Sequence, residues 1–167
     1  AYYDAVADTM LPYIVDRPLS LVRCPQGRAK ACFFQKHDTG GFPPAMKTVQ
    51  IAEKDGEKES YFYVDDLAGI VAAVQMNTLE FHLWGSRRDK IENPERIIFD
   101  IDPDEGLGFE HVRAAALDIR KGLEAWGLKS FAMLTGGKGI HVIAPLVRRT
   151  EWPEVKLFCK TFAQAMA

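Results

Sequence analysis

Arg96-Ile97-Ile98-Phe99-Asp100-Ile101-Asp102-Pro103-Asp104 is the stretch on which the reading of the whole chain turns. It has the pattern of a short strand, in which successive side chains alternate between faces. Ile97, Phe99 and Ile101 then point one way and Ile98, Asp100 and Asp102 the other, and Pro103 ends the ladder. Two carboxylates on one face at a strand's end repel each other unless a positive charge lies between them. A divalent cation supplies that charge, and oxygen ligands of this kind suit Mg²⁺ or Mn²⁺. The plainer alternative is that the two aspartates face solvent or cap the next helix.

The second informative stretch is Thr135-Gly136-Gly137-Lys138-Gly139, between two apolar runs that read as strands, Ser130 to Leu134 and Ile140 to Ala144. Glycines let a backbone take positive φ and approach a ligand closely, and successive amides in such a turn form an anion nest. Thr135 adds a hydroxyl and Lys138 a charge, a combination that suits phosphate. The pattern is not that of the Walker loop, and a plain hairpin turn with a solvated lysine is the competing reading. His141 follows in the next strand, and His82 sits in an earlier one, Leu79 to Trp84. If His82, Asp100, Asp102, Lys138 and His141 lie at the ends of adjacent strands, one face carries two carboxylates, two imidazoles and a phosphate-type turn, which is the makings of a metal–triphosphate site.

The remaining elements follow from pattern. Ala1 to Met10 reads as a helix ending near Pro12, Leu19 to Arg23 and Ala31 to Gln35 as a hairpin, and Thr48 to Glu53 and Tyr61 to Val64 as strands about Asp55-Gly56. Asp65 or Asp66 caps a helix running to about Gln75. A longer helix, Phe109 to Trp126, carries the stripe Val112, Ala115, Ala116, Ile119, Leu123 and Trp126, with Gly127 after it. Thr150 caps a last helix with Pro153 in its first turn. The fold class is α+β, a mixed or antiparallel sheet flanked by helices in a single domain spanning residues 1–167. Of the adjacent Phe33 and Phe34, one is expected in the core and the other free to stack on a base. Arg23, Arg28, Lys30 and Lys36 gather near them, and Lys47, Arg87 and Arg88 add charge elsewhere, either as a nucleic-acid path or as solvated surface.

Bulk properties set the limits. With 167 residues the chain is long enough for one real core, and a net charge of −2 gives no global basic signature. There is no run of apolar residues long enough to span a membrane and no signal peptide at the start. Three cysteines, Cys24, Cys32 and Cys159, without a Cys-x-x-Cys pair, argue against zinc. Cys24 and Cys32 could meet across a hairpin, but the expectation is free buried thiols in a reducing cytoplasm. The chain opens in one amphipathic pattern and stops inside another, which points to a piece of something longer.

Five ordered blocks together resemble a known family: Arg17-Pro18-Leu19-Ser20-Leu21-Val22-Arg23-Cys24-Pro25, Phe33-Phe34-Gln35-Lys36-His37, Leu79-Glu80-Phe81-His82-Leu83-Trp84, Phe99-Asp100-Ile101-Asp102-Pro103 and Gly136-Gly137-Lys138-Gly139-Ile140-His141-Val142. They resemble the polymerase domain of bacterial ligase D, of the archaeo-eukaryotic primase superfamily, which serves non-homologous end joining. The resemblance implies a primase-polymerase catalytic core, here incomplete. It implies Asp100 and Asp102 as catalytic ligands of two Mn²⁺ or Mg²⁺ ions, and His82, Thr135, Gly136, Gly137, Lys138 and His141 as the nucleotide-binding set. It implies Phe34 and Lys36 as DNA contacts. The activity implied is template-dependent nucleotidyl transfer, adding NTP or dNTP to 3′ ends and gaps in DNA that carries a 5′-phosphate. Implied partners are a Ku-type end-binding protein and ligase and phosphoesterase domains, fused or separate, and the implied location is the bacterial cytoplasm at the nucleoid. Thr135 stands where the family usually has Ser. The family's third metal-binding Asp and its lysines for the 5′-phosphate fall outside this sequence, so impaired catalysis by the piece is expected. A non-catalytic DNA-end or nucleotide-binding module is the alternative, and a metal-dependent phosphoesterase a more distant one.

Overall fold

The computed structural model describes residues 2–53, 55–134 and 136–166. The chain divides into two compact units, one running to Asp89 and the other from Lys90 onward. Every strand pairing within a sheet is antiparallel. With four α-helices among the described residues, the fold is α+β as the sequence pattern implies. The strands form two sheets, of five and of three strands.

The first unit holds α1 (Tyr2–Ile14), β1 (Leu19–Arg23), β2 (Phe33–Gln35), β3 (Lys47–Ala52), β4 (Lys58–Tyr63), α2 (Leu67–Gln75) and β5 (Thr78–Leu83). β1 lies at its centre. It pairs with β5 along its length on one edge, and with β2 and the end of β4 on the other. Alternation sorts its side chains: Leu19 and Leu21 are buried with Ile14, Met46, Phe62, Val64 and Ile70, while Phe81 and Leu83 pack against that cluster. The cap expected of α2 is Asp66, whose carboxylate accepts from the Gly69 amide at 2.9 Å. Asn77, just past the helix, takes a left-handed φ of 63°, a conformation that asparagine tolerates better than most residues.

One expectation holds in this unit and one fails. Helix α1 ends two residues after Pro12, and arginines satisfy its last carbonyls. Arg17 Nε donates to the Tyr13 carbonyl at 2.8 Å, and the Arg87 guanidinium donates to those of Pro12 and Val15. Arg17 itself is buried and also donates to the Trp84 carbonyl. Cys24 and Cys32 are not free thiols but a disulfide. At the loop end of the β1–β2 hairpin, one step past the Arg23–Phe33 pair, their Cα atoms lie 4.4 Å apart, within bonding range, and only Cys159 remains a thiol. Burial pushes that thiol's pKa up.

The second unit holds β6 (Arg96–Ile101), α3 (Phe109–Ala125), β7 (Phe131–Leu134), β8 (Ile140–Pro145) and α4 (Trp152–Met166). Strand order is β6-β8-β7, so β8 returns between two strands joined by α3. Ile97, Ile140, Val142 and Ala144 on the sheet pack against Val112, Ala116 and Leu123 of α3 and Val155 and Phe162 of α4. Full burial of an aliphatic side chain such as Leu123 stabilises the fold by about 1.5–3 kcal/mol. Trp126 does not belong to the stripe: it follows the last helical residue, where the chain turns away at Gly127, and is 72% exposed. The last helix starts one residue later than a Thr150 cap would give, with the Glu151 carbonyl accepting from Val155.

Candidate active site

The acidic strand is β6, and its alternation is as its pattern requires. Ile97 is buried, Phe99 and Ile101 pack against the helices, and Ile98 and Asp100 are exposed on the opposite face. Asp102 follows directly after the strand and is also exposed. Antiparallel pairing with β8 sets Asp100 opposite His141, and His141 Nε2 lies 3.0 Å from Asp100 Oδ1. The imidazole is three-quarters covered while the carboxylate is largely open to solvent. His141 Nδ1 is buried with no hydrogen-bond partner, a polar atom whose capacity a bound group or a water would satisfy.

The glycine-rich turn joins β7 to β8, so the same strand that brings His141 to Asp100 also carries Gly136, Gly137 and Lys138 to the end of β6. Gly136 has a φ of 84°, a conformation open to glycine at no steric cost. Thr135 lies outside the described residues. Lys138 and Asp102 form no ion pair with any described residue. Beside the turn lies a cleft of about 530 Å³, walled by Pro103, Asp104, Glu105, Gly106, Leu107 and Phe109 on one side and by Gly137 and Lys138 on the other. The sequence reading noted Asp104 and Glu105 only as neighbours of the strand. That their loop forms a wall of this cleft depends on how the 103–107 segment folds back, which no motif announces.

The residues present fit a divalent cation in donor chemistry. Asp100 and Asp102 are hard oxygen donors on one strand end, and a cation of this kind is commonly held by one or two carboxylates with phosphate and water completing its shell. Among the described residues no three His, Cys, Asp or Glu side chains converge into a ready metal cage.

His82 belongs to a different sheet. It lies on β5, in the five-stranded sheet of the first unit, so the expectation of adjacent strands holds for Asp100, Lys138 and His141 but not for His82. There it shares the face of β1 opposite the core. Ser20 pairs with His82, and Val22 pairs with both Glu80 and Phe34, which places Phe34 and His82 on one surface. Their rings meet edge to face at 5.1 Å, and His82 Nε2 sits 2.9 Å from Glu80 Oε2. Phe34 is 64% exposed and Phe33 47%, so neither is a core residue. β2 is only three residues long and, among the described residues, no other strand pairs with its outer edge. Lys36 is exposed just past its end.

Several of the basic residues are spoken for. Arg23 donates to the Met76 carbonyl and to Gln35 and lies over the Phe33 and Phe42 rings. Lys47 pairs with Asp65, which together with its hydrogen bond raises the lysine's pKa, and Arg88 pairs with Asp16 at 2.6 Å. These charges are engaged within the first unit, leaving Arg28, Lys30 and Lys36 as the exposed basic set around the hairpin.

An acidic strand end beside a glycine-rich, lysine-bearing turn is suited to binding a metal-complexed polyphosphate. The chain matches, over residues 1–167, the family described as LigD, primase-polymerase domain, and it belongs to that family. The multifunctional non-homologous end joining protein LigD of Pseudomonas aeruginosa is 34% identical over 166 residues, covering 99% of this chain and 20% of that protein. The corresponding DNA repair protein of Mycobacterium tuberculosis is 30% identical over 173 residues, covering 99% of this chain and 23% of its own length. Among solved structures, the polymerase domain of Mycobacterium tuberculosis ligase D in complex with DNA superposes with a TM-score of 0.88 at 28% identity, over 99% of this chain and 60% of that one. The chain thus spans about a fifth of the curated relatives it matches. No helix among the described residues is long and apolar enough to cross a membrane.

Proposed function

We propose that this chain forms the nucleotide- and metal-binding part of a DNA-repair polymerase that adds nucleotides to DNA 3′ ends and gaps during non-homologous end joining. The observation that carries the reading is the cross-strand pair Asp100–His141 with Asp102 at the strand's end and the Gly136–Lys138 turn alongside, in a chain of the LigD primase-polymerase family. Asp100 and Asp102 hold Mn²⁺ or Mg²⁺. When bound, such an ion polarises the phosphoryl group under attack and lowers the pKa of the attacking hydroxyl. His141 fixes the Asp100 carboxylate from one side through the contact of its Nε2 with Oδ1. The glycine-rich turn, with Thr135, presents amides and the Lys138 ammonium to the phosphates of an NTP or dNTP. Their positive charge offsets the charge that gathers on departing pyrophosphate as the primer's 3′-hydroxyl forms the new phosphodiester bond.

On the first unit, exposed Phe34 offers a stacking face for a base, Lys36 a contact for the DNA backbone and His82 an imidazole for nucleotide contact. The DNA substrate is an end or gap bearing a 5′-phosphate, and the partners that fit this work are a Ku-type end-binding protein and ligase and phosphoesterase activities. The test is Mn²⁺-dependent incorporation of an NTP into a gapped, 5′-phosphorylated duplex by the protein carrying this chain. Asp100→Ala should abolish incorporation while leaving the melting temperature near that of the parent. Incorporation that survives Asp100→Ala would refute the assignment. A parent protein that binds NTP or DNA without incorporating would support a binding module instead.

A further inference from the structure

The glycines of the turn before β8 answer two different demands. Gly136 is needed for its left-handed backbone, and a methyl group added there would meet nothing within 4 Å. Gly139 carries no such φ. The demand there is for space: a Cβ at Gly139 would lie 2.4 Å from Asp102 Oδ1 and 2.6 Å from the Ile101 carbonyl oxygen, closer than the 3.0 Å that Cβ atoms keep. The register explains the contact. Ile101 pairs with Ile140, so one step further Asp102 and Gly139 face each other just beyond the ladder, and the carboxylate lies over the bare Cα.

We propose that Gly139 is a positioning residue for Asp102. Having no side chain, it lets the carboxylate lie against the turn, which sets the second acidic group and the phosphate-type turn at a fixed spacing from each other. This rests on Asp102 holding a metal ion. Any larger residue at 139 must push the Asp102 carboxylate away or part β6 from β8, and the Ile101 carbonyl, being backbone, cannot yield cheaply. The effect falls first on Asp102, since the Asp100–His141 pair lies two register steps further into the ladder.

The test is a double-mutant cycle on the protein carrying this chain, without nucleotide or DNA. Mn²⁺ affinity is read by electron paramagnetic resonance of the free ion, and stability by thermal melting. Gly139→Ala should weaken Mn²⁺ binding by roughly 10-fold or more, the size of loss seen when a group that orients a ligand is disturbed. It should add no further loss in an Asp102→Ala background. Gly139→Ala should also melt at lower temperature, and the double variant should recover part of the difference because the colliding carboxylate is gone. That comparison serves even if the single variant folds poorly. Unchanged Mn²⁺ affinity in Gly139→Ala, fully additive losses, or a double variant no more stable than Gly139→Ala would each overturn the proposal while leaving the metal reading intact. If Asp102→Ala itself leaves Mn²⁺ affinity unaltered, the metal reading of Asp102 fails and the proposal falls with it.

Discussion

Removing the Cys24–Cys32 disulfide should cost the first unit a calculable share of its stability. The bond closes a loop of sequence separation 8. In the chain-entropy description, a cross-link over such a loop removes about 8 cal/mol/K from the unfolded state, or roughly 2.5 kcal/mol at 25 °C. Cys32 is the better position to change, because it is exposed while Cys24 is buried. Cys32→Ser therefore breaks the cross-link, leaves the Cys24 thiol to pack as a small apolar group, and adds no polar atom to the core. For a chain of this size the loss corresponds to a fall of roughly 5–10 °C in the melting midpoint. The assay is thermal melting of parent and variant, each with and without a thiol reductant. The reductant should lower the parent to the variant's midpoint and leave the variant unmoved. Thiol titration of the unfolded, unreduced parent should find one reactive group, Cys159. Equal midpoints for parent and Cys32→Ser, or three titratable thiols, would refute the reasoning.

Other outcomes follow from single contacts. Gly69→Ala places a Cβ 2.9 Å from the Val64 side chain and 3.0 Å from the Ala45 carbonyl. The gain in helix propensity, about 1 kcal/mol, should be outweighed by overpacking of about 1–3 kcal/mol, and the denaturant midpoint should fall. Burial, then the hydrogen bond to Glu53, pushes the Tyr61 phenol up to about 12 from 10. The unfolded chain gives up that proton first, so Tyr61's contribution to stability is intact below pH 10 and lost as pH rises to about 12, which chemical denaturation across that range should show. Arg17→Met removes the guanidinium that donates to the half-buried carbonyls of Tyr13 and Trp84 and should destabilise by about 1–3 kcal/mol, measured by urea unfolding. Lys138→Ala should raise the KM for NTP roughly 10-fold in the incorporation assay, the loss of one charge-assisted hydrogen bond.

Local features were legible in the residues and long-range ones were not. The alternation of Ile97 to Asp102, the β1–β2 hairpin, the Asp66 cap and the span of α3 all depend on neighbours a few positions away, and they stand as their patterns imply. The division into two sheets does not, because which strand edges meet is set by tertiary packing. His82 was therefore grouped with residues that belong to another sheet. The partners of the last carbonyls of α1 come from guanidinium groups at positions 17 and 87, and the disulfide closes the loop end of the hairpin, a pairing that spacing alone leaves undecided. Phe33 and Phe34 looked like one core and one surface residue by alternation, a rule that presumes a covered face. β2 is too short, and its outer edge too open, to supply one.

The pairing of β6 with β8 has a consequence for how the chain can fail. Shifting β6 by one residue would turn Asp100 toward the helices and put Phe99 and Ile101 into water. The protein then has no well-packed alternative in which the carboxylate is aimed wrongly: a chain that has found its core has already pointed Asp100 at His141. A slipped register is thus caught as an error in folding, and copies with β6 out of step should be lost to unfolding or degradation rather than persist as stable, inactive protein.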